Sequence, residues 1–225
     1  MLKPKRKITR DELKKDSFVE SVFELRSYLK DNLTILSRIG GGLVLIIALA
    51  IFFSLSSRNN FREAEFLLTQ SSLYLDNGDI QNAKILLQEL TDEYSGTEPG
   101  RLGGYHLAQL HLKSNNSESA LPLLLNYSKK GGNPFLLSSA NHAISSIYHQ
   151  NNDIKNAIKY QLASIKNSKT EKDGAFSSIK LAELYIKDGS FKNSSNILDE
   201  IKNNFSDDLD VMNKVEYVSG LLMDK

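Results

Sequence analysis

The chain has 225 residues, enough for one substantial core plus appended segments, and its 40% apolar and 24% charged residues exclude wholesale disorder. It contains no cysteine, which excludes disulfide frameworks, thiol nucleophiles, cysteine zinc sites and cysteine-linked lipids. A net charge of +1 argues against nucleic-acid binding by bulk charge.

The charge is unevenly placed. Residues 1–38 carry ten basic and six acidic side chains; the other 18 basic and 21 acidic ones all follow Ser57. Within the basic arm, Thr9 with Glu12 three residues on is a helix-start pattern. Phe18, Val22, Leu25 and Leu29 then recur at helical spacing, joined by Val19 and Phe23. This stripe admits three readings: a helix lying in a membrane interface, a helix docked on a partner, or a juxtamembrane helix that only sets topology.

Next comes a 19-residue run, Ile39 to Ser57, with no charged or amide side chain, bracketed by Arg38 and Arg58. At a rise of about 1.5 Å per residue it reaches about 28 Å, close to the hydrocarbon thickness of a bilayer. A buried helix of a soluble protein rarely goes five turns without one such side chain. The expectation is a single transmembrane helix, with the basic arm held in the cytoplasm and the long remainder crossing, in a bacterium the periplasmic side. Ser54-Leu55-Ser56 is a passable cleavage site, but 38 residues precede the apolar run, so an uncleaved signal-anchor is favoured over a signal peptide. Gly40-Gly41-Gly42 permits close helix contact in the membrane, without a small-residue ladder to extend it. Arg58-Asn59-Asn60 reads as a short linker.

From residue 61 onward the sequence repeats. Tyr74, His111, Tyr148 and Tyr185 are spaced by 37 residues. Three residues before each stands a small side chain: Ser71, Ala108, Ser145 and Ala182. Four residues after each stands one that tolerates a left-handed backbone, Gly78, Asn115, Asn152 and Gly189, followed at once by a helix N-cap, Asp79, Asn116, Asp153 and Ser190. A second small column follows at Ala83, Ala120, Ala157 and Ser194, and then Leu87, Leu124 and Leu198, with Gln161 as the exception. The columns describe helical hairpins: small residues where helices cross, a tyrosine filling the gap, and a turn that ends one helix and starts the next. Equal spacing stacks such hairpins into an all-α solenoid.

These residues resemble the tetratricopeptide repeat, whose pattern Ser71-Tyr74-Gly78-Ala83 meets in full and Ala182-Tyr185-Gly189-Ser194 nearly so. The resemblance covers residues 64 to about 206 in four units, near 64–97, 101–134, 138–171 and 175–206, with a closing helix near 208–223. The period of 37 exceeds the family's usual 34, and the family's early tryptophan is replaced by Leu67, Gly104, Asn141 and Ser178. Pro99 and Pro134 mark unit starts, where proline suits a first helical turn.

The resemblance implies that the first helix of each hairpin lines a concave surface that binds protein. The positions on that face are Leu68, Ser72 and Leu75; Leu102, Tyr105, Gln109 and Leu112; His142, Ser146 and His149; and Phe176, Ile179, Glu183 and Ile186. About half are expected to be accessible. Their mixed character suits an extended or helical peptide, and the lysine and asparagine clamp that chaperone-binding members use on a terminal carboxylate is not expected.

No catalytic residues, metal ligands or cofactor sites are assigned. The chain has no HExxH and no phosphate loop. Of its four histidines, His106, His111, His142 and His149, His111 stands in the tyrosine column and the last two lie two turns apart on one helix. Lys129-Lys130 and Lys166-Lys169-Lys172 read as solvated helix ends. The order of arm, membrane helix and solenoid, with the stretch Pro99 to Gln109, is similar to the YfgM-type accessory subunits of the bacterial Sec translocon. That implies an adaptor on the periplasmic face of the inner membrane whose partners are translocon subunits, chaperones or exported chains, not nucleic acid. A scaffold for envelope, division or secretion machinery is the alternative, and an enzyme or ligand sensor a third reading.

Overall fold

The computed structural model describes residues 10–223, with side chains described for Phe18 and from Glu20 onward. The described residues form ten helices and no strand: α1 (Arg10–Asp31), α2 (Leu33–Asp76), α3 (Ile80–Glu93), α4 (Glu98–Lys113), α5 (Ser117–Lys130), α6 (Pro134–Gln150), α7 (Ile154–Asn167), α8 (Glu171–Asp188), α9 (Phe191–Asn204) and α10 (Leu209–Met223). They divide into two units at Ser57 and Arg58.

In the first unit, Phe18, Val22, Phe23, Leu25 and Leu29 of α1 are all exposed. The expected cap pairing of Thr9 with Glu12, and the side chain of Val19, lie outside what is described. Asn32 alone separates α1 from α2, and its amide donates to the Tyr28 carbonyl at 2.9 Å. α2 is long and apolar enough to cross a membrane: its best window has a mean hydropathy of 2.4 and none of that window is buried. Its apolar side chains, such as Val44 and Phe52, face outward.

Arg58-Asn59-Asn60 is helical and belongs to α2, which corrects the linker expectation. With neither proline nor glycine there, nothing removes a backbone donor or favours a turn.

The second unit follows the 37-residue cadence. Gly78 (φ 77°), Asn115 (57°), Asn152 (60°) and Gly189 (80°) are the four described residues in the left-handed region. Each closes the same pair of hydrogen bonds. The N–H of the next residue reaches back to the carbonyl of the tyrosine column: Asp79 to Tyr74 (2.8 Å), Asn116 to His111 (2.9 Å), Asp153 to Tyr148 (2.8 Å) and Ser190 to Tyr185 (2.8 Å). The left-handed residue's own N–H reaches Leu75, Leu112, His149 and Ile186 respectively. This is the Schellman arrangement, and it ends one helix and aims the next within five residues.

Asp79, Asn116 and Asp153 then cap the second helix by accepting from the N–H of Asn82, Ser119 and Asn156. A cap of this kind contributes about 1 kcal/mol. Ser190 holds the N-cap position of α9 but makes no side-chain cap bond; its hydroxyl donates to Asp188 at 2.7 Å instead. Pro99 and Pro134 sit in the first turns of α4 and α6 as expected.

All members of both small columns are buried, at 0–1% exposure. So are Leu87, Leu124 and Leu198, and so is Gln161: the sequence exception occupies the same place in the packing. One further column, Leu90, Tyr127, Ser164 and Ile201, is buried throughout, and the sequence reading did not single it out. Between α3 and α4 the approach is close: a Cβ on Gly100 would lie 1.9 Å from the Tyr94 carbonyl oxygen, and one on Gly103 2.8 Å from Leu90. Only glycine admits the first contact.

The core has three apolar clusters. The first joins Ala64 to Leu87, Leu90 and Leu107, the second runs from Tyr105 through Leu124 to Ile147, and the third from Ala175 to Val218. α10 lies against both α8 and α9 through Val211, Val215 and Val218, and closes that end of the stack.

Candidate protein-binding surface

The fourteen positions expected on the inner face divide by exposure. Tyr105, Ile179 and Ile186 are buried and serve packing; Tyr105 also donates its hydroxyl to Ser139 at 2.9 Å and tilts against Tyr127, ring centres 5.1 Å apart. His142 and Phe176 are exposed. Leu68, Ser72, Leu75, Leu102, Gln109, Leu112, Ser146, His149 and Glu183 are half-buried, each showing part of its side chain to solvent. Glu183 pairs with Lys180 one turn earlier, 2.6 Å apart, so its charge is already matched. In the tyrosine column, Tyr74, His111, Tyr148 and Tyr185 are half-buried, and Tyr148 stacks on Tyr160 of the paired helix, 5.6 Å between centres.

The third hairpin differs from the others in chemistry. Where its helices α6 and α7 meet each other and α8, polar groups, most of them buried or half-buried, bond across the seams. The Ser138 hydroxyl donates to the Ser164 carbonyl (2.9 Å) and lies 3.2 Å from the Ser164 hydroxyl and 3.4 Å from that of Ser168. Ser164 and Ser177 hydroxyls are 3.4 Å apart. The Gln161 amide nitrogen donates to the Ser177 carbonyl (2.8 Å), which turns its oxygen to Nδ1 of His142 (3.2 Å). The Ser145 hydroxyl donates to the Ala157 carbonyl (2.8 Å). A cleft of about 400 Å³ opens here, lined by Ser138, His142, Ser164 and Ser177 with Phe135 and Phe176. Of these six lining residues only His142 and Phe176 stand among the inner-face positions expected from the sequence. The available signal was that columns apolar in the other units turn polar together in this one.

All four histidines have pKa values lowered chiefly by removal of water around the ring. His142 keeps part of its ring open to solvent, but dense packing around it outweighs the hydrogen bond its Nδ1 makes to the Gln161 oxygen, which acts in the opposite direction. The imidazole is therefore neutral at pH 7. Among the described residues no group of three or more His, Asp or Glu side chains is placed to hold a metal ion.

Lys172 is not a solvated helix end. It is half-buried, pairs with Asp208 (2.8 Å) and Asp210 (3.2 Å) at the start of α10, and lies over the Phe176 ring. Its ammonium donates to these two carboxylates, which raises its pKa and lowers that of Asp208. Chain direction is the cause: α10 folds back so that its first turn meets the first turn of α8.

Comparison with known proteins agrees with this architecture. Residues 138–170, the third hairpin, match the family model described as tetratricopeptide repeat. The fold is a tetratricopeptide-like α-solenoid. Two similar solved structures are crystal structures, one of them a point variant, of nearly identical TPR-like repeats from a Podosopora anserina protein described as a kinesin light chain. Each has a TM-score of 0.55 and 14% identity, and the match covers 72% of this chain and 88% of that one. No curated protein matches the sequence.

Proposed function

We propose that this protein is a membrane-tethered adaptor. Residues 1–38 form a cytoplasmic arm, 39–57 span the membrane, and the solenoid from residue 61 to 225 binds polypeptides outside the cytoplasm, in the periplasm of a bacterium. The observation that carries the adaptor reading is a repeat array with a row of half-buried, chemically mixed side chains along its first helices, from Leu68 to Glu183. Such a row offers contact area and hydrogen bonds to a polypeptide. The tether is supported by the apolar window of α2, and the orientation by the basic arm before it.

The partners are subunits of the protein-export channel, chaperones of exported proteins, or the exported chains themselves; this follows from the resemblance in domain order. Crosslinking in intact membranes, followed by mass spectrometry, tests the assignment. Recovery of export components with the full chain is the expected result. Division or envelope-assembly proteins without any export component would replace it with the scaffold alternative. Protease added outside spheroplasts should digest the repeats and spare the arm; the reverse pattern would overturn the orientation.

A further inference from the structure

We infer that the cleft between α6, α7 and α8 is the selective part of the binding surface and takes an uncharged, extended polypeptide segment carrying a large apolar side chain. The inference rests on the adaptor reading and narrows it to one place and one chemistry.

The columns show that packing does not demand this polarity. Gln161 stands where the other hairpins place Leu87, Leu124 and Leu198. Ser164 stands where they place Leu90, Tyr127 and Ile201. His142 stands where they place Leu68, Tyr105 and Ile179. Three positions that hold apolar side chains in every other unit are polar together, at one seam, around one opening. Each exchange gives up apolar burial that the neighbouring units keep.

Hydrogen-bonding capacity indicates what the opening accepts. The Gln161 amide is oriented by its bond to the Ser177 carbonyl, so its oxygen meets His142, and Nδ1 of that ring must carry the proton. Nε2 of the neutral ring is then an acceptor. A serine hydroxyl donates once and accepts twice; Ser138 and Ser168 direct their hydroxyl hydrogens to the Ser164 carbonyl, at 2.9 and 3.1 Å, and retain lone pairs as acceptors. Among these uncharged side chains acceptors therefore outnumber donors, which suits the N–H groups of a polypeptide backbone.

Charge narrows the choice. Lys169 and Asp173 line the cleft with one charge of each sign, which leaves no net charge to hold a carboxylate or an ammonium group. Phe135 and Phe176 are 59% and 37% exposed on the same lining, the second with Lys172 over its ring, and both offer apolar surface to a side chain. The volume, about 400 Å³, is at the small end for ligand pockets and suits a few residues of a chain, not a folded domain.

The test uses the full chain in detergent micelles and a fluorescein-labelled decapeptide of glycine and serine with one central phenylalanine, read by anisotropy. Saturable binding is expected, at least about tenfold weaker when the peptide's phenylalanine is replaced by glycine, and likewise in the Phe135→Ser and Phe176→Ser proteins. Phe135 is well exposed and Phe176 partly so, and helical circular dichroism verifies that each variant folds. Failure to bind the peptide, equal binding by both variants, or displacement of the peptide by a hexamer of N-acetylglucosamine would each overturn the inference. A photoreactive phenylalanine analogue in place of Phe135, and separately in place of Gln109, distinguishes the two levels in membranes. Protein crosslinks from position 109 with none from position 135 would defeat the cleft and leave the adaptor; none from either would defeat both.

Discussion

Replacing Ala157 with aspartate tests the packing columns directly. Ala157 has 0% exposure, and its carbonyl accepts from the Ser145 hydroxyl at 2.8 Å, so α6 and α7 touch at this level with no room for a carboxyl group. A buried aspartate has two routes, and the cheaper sets the cost. Keeping the charge costs several kcal/mol in desolvation. Taking up a proton at pH 7, from an ordinary pKa near 3.9, costs about 4 kcal/mol. Overfilling the seam adds about 1–3 kcal/mol by either route, and the unpaired oxygens about as much again. The expected loss is about 6 kcal/mol or more, comparable with the whole stability of a typical domain, about 5–15 kcal/mol. For a unit of this size that lowers the thermal midpoint by at least about 12 °C. The assay is thermal unfolding of the full chain in detergent, followed by circular dichroism at a helical wavelength. Lowering the pH toward 4 should narrow the gap between variant and parent, because the protonation cost shrinks. A variant that unfolds within about 2 °C of the parent would refute the placement of Ala157 inside the inter-helix seam.

Two further outcomes follow from individual side chains. The Ser194 hydroxyl is buried and without a hydrogen-bond partner in the small column that Ala83, Ala120 and Ala157 fill elsewhere, so Ser194→Ala should stabilise the protein by about 1 kcal/mol, read as a higher urea midpoint at unchanged slope; a lower midpoint would contradict it. The four histidines have folded-state pKa values below their ordinary 6.5, so the unfolded chain takes up protons first as the pH falls. Their contribution is intact above pH 6.5 and is lost as the pH falls from there through the lowered values. Asp208 and Lys172 do not mask this, since the first titrates below 3.8 and the second above 10.5. Unfolding midpoints measured from pH 7.5 to 5 should decline, and a flat profile would count against the reading.

Much of the fold was legible because a Schellman turn and an N-cap are local events. Gly78 and Gly189 pass through the left-handed region without a Cβ clash, Asn115 and Asn152 tolerate it, and the capping residue follows directly. These are choices made within about six positions, and they recur every 37 residues. The small columns were legible for a related reason: helices that cross closely need small side chains, whatever the rest of the hairpin does. The cleft was much less so. Gln161 looked like a failure of the pattern because a lone glutamine among leucines says nothing of its partners, His142 and Ser177, which stand 19 and 16 positions away. Lys172 looked like one of a solvated series because its partners, Asp208 and Asp210, lie 36 and 38 positions on. Of the inner-face residues, Tyr105, Ile179 and Ile186 were lost to packing, since helical period marks a face without marking how deep the next helix covers it.

By itself, the amino-acid order determined the helical hairpins, their cadence and the apolar segment before them, because each depends on neighbours within a few turns of helix. The assembled stack alone decided which polar groups meet at the junction of α6, α7 and α8, which aromatic rings remain open beside them, and how α10 is tied to α8. Those outcomes need side chains from separate helices to arrive at hydrogen-bonding distance, and a pattern of spacings carries no information about where such partners end up.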